Sequence, residues 1–485
     1  MLEIAQEDID ARLAFDNPWW DSPEDVIPFE KNVRRKYFEP FFRALNDRSV
    51  RRAIVLMGPR RVGKTVMVYQ AIADLIRAGT SPQTVMYASL ETPIYTGIAL
   101  DKLVELFAKR FEHSRHDELT IFFDEIQYLR DWETHLKSLV DSFPAYKFVV
   151  TGSAAAALRL KSNESGAGRF TDYILPPLTF AEYLMFVGRE DELLEKMDED
   201  DGDGIARPSY RATNISELNE EFVNYLNFGG YPEAVFSDLV RSNASQYIKS
   251  DIIDKVLLRD LPSLYGINDI QELNRLFTTL AYNTGQEISL ESLAQSSGVA
   301  KNTIKRYMEY LEAAFLIRRV ERIDQNAKRF KRAMNFKVYL SNPSMRAALF
   351  GTLSTGSPEI GALTETAIFS QWQHNQATQL FYARWKSGEV DIVHLDRISQ
   401  KPTWIVEVKW SDQPATKTQL LDNCVRFASR FPKLRQPILM TTKSVSSIID
   451  YHNTRFRFRP SSEYAYALGA NILNSLDLLW KGADD

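Results

Sequence analysis

The segment Gly58-Pro59-Arg60-Arg61-Val62-Gly63-Lys64-Thr65 constrains the fold more than any other stretch of the chain. It lies between a short apolar run, RAIVLM at 52–57, and VMVYQAIADLI, whose apolar residues recur at helical spacing. This is the pattern G-x-x-x-x-G-K-[ST] in the context it requires, closing a strand and opening a helix. Gly58 and Gly63 let the backbone wrap an anion, so that amide groups and the helix N-terminus face it. Lys64 then reaches the β- and γ-phosphates of ATP, and the Thr65 hydroxyl ligates magnesium. Every residue from Gly58 to Thr65 is therefore a candidate nucleotide contact.

Further along, LTIFFDE at 119–125 is an apolar strand ending in two carboxylates. Asp124 would hold the magnesium through water, and Glu125 would activate the attacking water. YKFVVTGS at 146–153 is another strand pattern ending in polar residues. In P-loop sheets the strand beside the Asp-Glu strand presents such a group to the γ-phosphate, which nominates Thr151 or Ser153. GAGRF at 166–170 offers Arg169 as an arginine finger, acting in cis or from a neighbouring copy in a homo-oligomer; the alternative is a surface salt bridge. Strand and helix patterns alternate through 52–185, which argues for a parallel α/β sheet. Ahead of it, NPWW at 17–20 and KNVRRKYFEPFFRAL read as a lid or packing arm, with core packing favoured for the tryptophans over lining the adenine pocket.

The chain has 485 residues, and at roughly 150 residues per domain that suggests about three domains. Apolar residues at 44% and charged residues at 25% are ordinary globular composition, and a net charge of −5 confines any nucleic-acid surface to a local patch. A single cysteine, Cys424, excludes disulfide frameworks and thiolate zinc clusters. The start, MLEIAQEDID, lacks the basic and apolar regions of a signal peptide, and no apolar run reaches membrane-spanning length. The expectation is a cytoplasmic protein with no membrane partner. Residues 188–210 are acidic and rich in glycine and aspartate, but no register matches a calcium loop, so they read as a flexible insertion.

Residues 217–285 have helical periodicity broken by GGYP at 229–232. From 288 to 317 a short helix, a turn around Gly298 and a second helix form a helix-turn-helix pattern. The second helix begins with Lys301, Asn302, Thr303, Lys305 and Arg306, residue types that reach bases and phosphates of DNA. RRVERIDQNAKRFKR at 318–332 would supply a basic wing; the alternative is a winged helix that binds protein. In the C-terminal third, GALTETAIF is a helix carrying Glu365, and 380–385 and 388–393 read as adjacent strands, the second carrying Asp391. WIVEVKW at 404–410 alternates, so Glu407 and Lys409 share a face. Asp391 and Glu407 could hold magnesium, with manganese as an alternative, while Lys409 orients water and stabilises charge at a scissile phosphate. The competing reading is an exposed Glu–Lys ion pair.

These residues resemble a family of prokaryotic ATPases of the AAA superfamily with a C-terminal domain of unknown function containing a nuclease-like fold. The resemblance rests on NPWW, GPRRVGKT, IFFDEIQYL, VVTGSAAAAL, GRF followed by PLTFAEYL, GGYPEAV, GEVDIV and VEVKW. It implies the standard ATPase roles for Lys64, Thr65, Asp124 and Glu125. It also implies a restriction-endonuclease-type PD-(D/E)XK fold with Glu365, Asp391, Glu407 and Lys409 as its site. One departure is Asn342, after Lys337-Val-Tyr-Leu-Ser, where the family usually has aspartate; an effect on packing or a local cap is expected. The expected α/β architecture is an AAA-type P-loop domain with its arm (1–187), an acidic insertion (188–216), a helical and winged-helix region (217–335) and a nuclease-like domain (336–485). The expected function is magnesium-dependent ATP hydrolysis that regulates a DNA nuclease. The alternative is a regulatory ATPase whose last domain only binds DNA or protein.

Overall fold

The computed structural model describes residues 5–22, 27–152, 168–197, 208–329, 335–375 and 377–481. The chain forms two compact units that divide between Leu175 and Pro176.

The first unit is built on five parallel strands: β1 (Ala53–Met57), β2 (Val85–Ser89), β3 (Thr120–Asp124), β4 (Lys147–Gly152) and β5 (Phe170–Ile174). Their order is β2-β3-β4-β1-β5. Every residue of β1, β3 and β4 is buried, which is why these strands read as continuous apolar runs and not as alternating ones. β4 lies between β1 and β3, pairing Leu56 with Thr151 and Phe123 with Val150. The end of β4 therefore sits between the phosphate loop and the Asp-Glu pair, at the carboxyl edge where open α/β sheets bind ligands.

The arm packs on the edge strand β2. The Asn17 side chain donates to the Tyr87 carbonyl (2.8 Å) and accepts the Tyr87 N–H (2.6 Å). The indoles of Trp19 and Trp20, both buried, donate to the Val85 carbonyl at 3.1 and 2.8 Å. These bonds occupy backbone groups that an edge strand otherwise leaves open. The tryptophans are core residues of the sheet edge.

The second unit begins with helices, among them Phe180–Val187 and Ile215–Phe228. The acidic segment expected as a flexible insertion contributes a helix, Glu190–Leu193, and an antiparallel pair, β6 (Leu194–Met197) and β7 (Ser209–Ala212). Arg189 anchors it with ion pairs to Glu192, Glu217 and Glu221. Residues 198–207 lie outside the described residues.

Next come helix Ile270–Tyr282, β8 (Glu287–Ser289), helix Leu290–Ser297, helix Lys301–Ala313, and the hairpin of β9 (Ile317–Ile323) and β10 (Asn335–Leu340). Ser289 forms a capping box with Ser292, and Gly298 ends the short helix at φ 71°. The remaining strands are β11 (Leu380–Trp385), β12 (Gly388–Leu395), β13 (Pro402–Glu407), β14 (Ile438–Thr442), β15 (Ser447–Tyr451) and β16 (Thr454–Pro460). All join one nine-stranded sheet, β15-β16-β14-β13-β12-β11-β9-β10-β8. The joint is a parallel pairing of β9 with β11, Phe381 opposite Glu321. The divisions expected at 187, 216 and 335 thus fall inside the second unit, and the last falls within the sheet. Sequence periodicity identifies strands but not which edges pair.

Asn342 acts as a local cap and a packing residue. Its Oδ1 accepts the Ser344 N–H (2.9 Å), and a Cβ on Gly230 would lie 2.3 Å from its Cγ. Among the described residues no helix is long and apolar enough to cross a membrane.

Candidate functional site

In the first unit the loop from Gly58 to Gly63 leaves β1 and enters helix Lys64–Arg77. Gly58 cannot be replaced without movement, because a Cβ there would lie 2.2 Å from the Leu175 carbonyl oxygen. Arg61 and Gly63 both have positive φ, 64° and 99°, which turns the loop into the helix. Arg35 donates to the Val62 carbonyl (2.8 Å), and Arg60 donates to the Tyr128 hydroxyl (3.3 Å). Pro59 is buried, and the Arg61 side chain is exposed. Lys64 is buried, its ammonium donating to the carbonyls of Gly58 (3.0 Å) and Pro59 (2.8 Å).

The Thr65 hydroxyl donates to Asp124 Oδ2 at 2.9 Å, so the two residues expected to share a magnesium are adjacent. Tyr87 donates to the same oxygen at 3.0 Å, and the Thr151 hydroxyl donates to Asp124 Oδ1. Thr151 also accepts the backbone N–H of Glu125 (3.1 Å), which is held in the left-handed region at φ 54°. Burial, with the Glu125 charge beside it, raises the Asp124 pKa; hydrogen bonds from Thr151, Thr65 and Tyr87 oppose the rise. Tyr87 was missed by the sequence reading, since it stands in mid-strand on β2. Ser153 lies outside the described residues.

Arg169 stands elsewhere. Its carbonyl accepts the Ala53 N–H at the start of β1, and its guanidinium pairs with Asp141. The phosphate loop follows the opposite end of β1. At about 3.3 Å per strand residue the separation is roughly 16 Å, beyond an arginine's reach. The cis option for Arg169 is corrected by this geometry: a residue preceding a parallel strand lies at the amino edge of the sheet, whereas the phosphates belong at the carboxyl edge.

In the second unit Glu365, Asp391, Glu407 and Lys409 come together. Asp391 on β12 and Glu407 on β13 are neighbours, the Asp391 N–H donating to Glu407 Oε2 (3.3 Å). The Lys409 ammonium lies 2.7 Å from Glu407 Oε1 and 3.2 Å from Asp391 Oδ2. Lys409 is beyond the end of β13, so strand alternation alone does not place it. Its N–H donates to Thr441 (2.8 Å), while the Val408 N–H donates to Asp391 Oδ2 (2.9 Å).

A second lysine, to which the sequence pattern assigns no role, stands here. Lys337 on β10 is buried, its ammonium 2.9 Å from Glu365 Oε1, 2.6 Å from Glu389 Oε1 and 3.7 Å from Asp391 Oδ1. Tyr339 donates to Glu365 Oε1 at 2.6 Å. The signal was the spacing Lys337-x-Tyr339, two residues on one strand face. Burial raises the Glu365 pKa against the pull of Lys337, and burial with Asp391 pushes Glu407 up to about 7. Asp391 is lowered: burial opposes this, but Lys409 and Lys337 outweigh it. Among the described residues no group of three or more histidine, cysteine, aspartate or glutamate side chains is placed to hold a metal ion. An ion there would have the Asp391 and Glu407 oxygens as its protein donors.

On helix Lys301–Ala313, Ile304, Tyr307, Met308 and Leu311 face the core. Lys301, Asn302, Lys305 and Arg306 are exposed, and Thr303 is half-buried. Lys301 pairs with Glu291 at 2.7 Å.

A phosphate loop on β1, an Asp-Glu pair after β3 and a polar strand inserted between them define the first unit as a P-loop ATPase domain of the AAA type. Residues 50–184 match a family model described as an AAA domain, and residues 219–356 match one described as a domain of unknown function (DUF8612). Glu365, Asp391, Glu407 and Lys409 lie beyond both. The chain is 25% identical over 347 residues to MJ1544, an uncharacterized protein of Methanocaldococcus jannaschii, covering 70% of this chain and 71% of that one. It is 22% identical over 387 residues to an uncharacterized protein of Haemophilus influenzae, covering 78% and 87%. A solved structure of the replication initiator DnaA bound to AMPPCP and single-stranded DNA aligns with 59% of this chain and 91% of its own, at 13% identity and a TM-score of 0.30.

Proposed function

We propose that this chain is a magnesium-dependent ATPase that acts on DNA, its nucleotide state regulating a metal-dependent nuclease site in the second unit. The observation that carries the nuclease reading is the convergence of Asp391, Glu407 and Lys409 from two strands and the segment beyond them.

The nucleotide site fits its ligand. Thr65 and Asp124 are hard oxygen donors suited to magnesium, which would neutralise developing phosphate charge. Lys64 at the helix start holds the phosphates, and Thr151 positions both Asp124 and the Glu125 backbone. Glu125 takes the proton of the attacking water. Arg169 serves only a phosphate loop of a second copy. In the second unit Asp391 and Glu407 offer oxygens to a divalent cation, which supplies Lewis-acid charge at a phosphodiester. Lys409 orients water there, and Glu365 is held in place by Lys337 and Tyr339. The helix-turn-helix and hairpin have the connectivity of a winged helix, with Lys301, Asn302, Thr303, Lys305 and Arg306 toward DNA.

One observation favours a second reading, in which the last domain binds DNA or protein without cutting. Lys337 and Lys409 neutralise the carboxylates internally, as a structural network would.

The test is cleavage of plasmid and single-stranded DNA with magnesium or manganese, with and without ATP, for wild type, Asp391→Ala and Lys64→Ala. Loss in Asp391→Ala alone supports a nuclease outside ATP control, and altered ATP dependence in Lys64→Ala supports regulation. ATP turnover without cleavage under any condition overturns the nuclease reading in favour of the second.

A further inference from the structure

Away from both sites, the second unit contains a cavity of about 380 Å³ where the hairpin meets the ends of β11 and β12. Three arginines line it: Arg318 from β9, Arg329 from the hairpin, and Arg397 from the turn after β12. Arg329 forms a backbone bridge with Ile323, which fixes it beside the end of β9. Its guanidinium donates to Gln379 Oε1 (3.1 Å) and lies 4.4 Å from the centre of the Phe381 ring. Arg397 donates to the Ala377 carbonyl. Among the described residues neither Arg329 nor Arg397 has a carboxylate partner. The nearby Asp396 carboxylate is taken up by the Ser399 N–H at 2.7 Å. His394 and Gln400 add polar groups to the wall.

Guanidinium groups that are pre-positioned by neutral partners, and still carry uncompensated charge, are suited to a phosphate. The chain is net acidic, so this concentration of positive charge is local. We propose that the cavity binds the phosphodiester backbone of a nucleic-acid strand, a second contact that rests on the DNA reading above. Two of its three arginines belong to the hairpin that directly follows helix Lys301–Ala313.

The experiment is fluorescence anisotropy of a labelled duplex oligonucleotide with the full chain across a salt series. Arg329→Ala/Arg397→Ala is compared with wild type, with Arg329→Lys/Arg397→Lys and with Lys305→Ala/Arg306→Ala. The alanine pair should weaken binding about tenfold or more and reduce the slope of log affinity against log salt by about 2. The lysine pair should restore the slope and only part of the affinity, which separates lost charge from a lost fold. Wild-type binding with an unchanged alanine pair overturns the cavity assignment and leaves the DNA reading standing. Wild type that fails to bind the oligonucleotide overturns both. Inorganic pyrophosphate is titrated in parallel. Arginine-dependent pyrophosphate binding without oligonucleotide binding assigns the cavity to a free phosphorylated ligand, which overturns the strand proposal.

Discussion

Lys337→Met removes the most buried charge of the carboxylate cluster while nearly preserving side-chain volume. The lysine side chain is 4% exposed and touches Glu365, Glu389 and Asp391. Removing one partner of a buried ion pair costs about 3–5 kcal/mol, because the remaining charges are left uncompensated. Asp391 keeps Lys409 at 3.2 Å and Glu389 keeps Arg384 at 3.4 Å, whereas Glu365 keeps the Tyr339 hydroxyl. Glu365 therefore dominates the loss, which falls toward the lower end of that range. At about 2 °C per kcal/mol for a large unit, Tm should drop by roughly 6–8 °C. The sign of the pH dependence follows from Glu365. Burial already raises its pKa, and loss of Lys337 raises it further. An acid with a raised folded pKa contributes stability below its unfolded pKa and loses it as pH rises through the folded value. The deficit relative to wild type should be smaller in mildly acidic than in mildly alkaline buffer. Thermal unfolding of both proteins in the two buffers measures it, and Lys337→Met/Glu365→Gln should recover part of the alkaline loss. An equal deficit in both buffers, or none in either, refutes the reasoning.

Lys64→Ala should abolish ATP turnover with near-normal thermal unfolding, since the ammonium donates to carbonyls of its own loop; unchanged turnover removes the phosphate-loop assignment. Thr151→Val keeps shape but removes the hydroxyl shared by Asp124 and Glu125. At about 1–3 kcal/mol for the orphaned partners, turnover should fall about 10–100-fold with nucleotide affinity little changed, as steady-state kinetics beside nucleotide titration will show. Glu407, pushed up to about 7, should make manganese affinity at the second site rise as pH increases through that value. Calorimetric titration of Glu407→Gln should show weaker binding without that rise.

The phosphate loop was legible because its chemistry lies in one continuous segment with a strand before it and a helix after it. The Asp-Glu pair was legible for the same reason. The position of Thr151 depends on β4 lying between β1 and β3, an order no local pattern specifies. Arg169 shows what local reading leaves out. In a parallel sheet, residues just before a strand and residues just after one lie on opposite edges, so strand direction alone would have removed the cis option. Asp391, Glu407 and Lys409 were found as a set, although Lys409 reaches it from beyond its strand.

Lys337 was passed over for a different physical reason. It stands at the start of the expected nuclease-like domain (336–485), on the second strand of a hairpin whose first strand, β9, reads in sequence as part of the winged-helix region. The parallel pairing of β9 with β11 merges that hairpin into the C-terminal sheet and brings Lys337 among the carboxylates. The same hairpin carries Arg318 and Arg329, which line the arginine-rich cavity. If a strand docks there as proposed, force on the hairpin acts on an element that also positions a buried ammonium. Glu365 and Glu389 lie within 3 Å of that ammonium, and Coulomb energy at such separations changes steeply with distance in a poorly solvated site. A small hairpin displacement would thus be felt at the carboxylates as a change in local electrostatic potential.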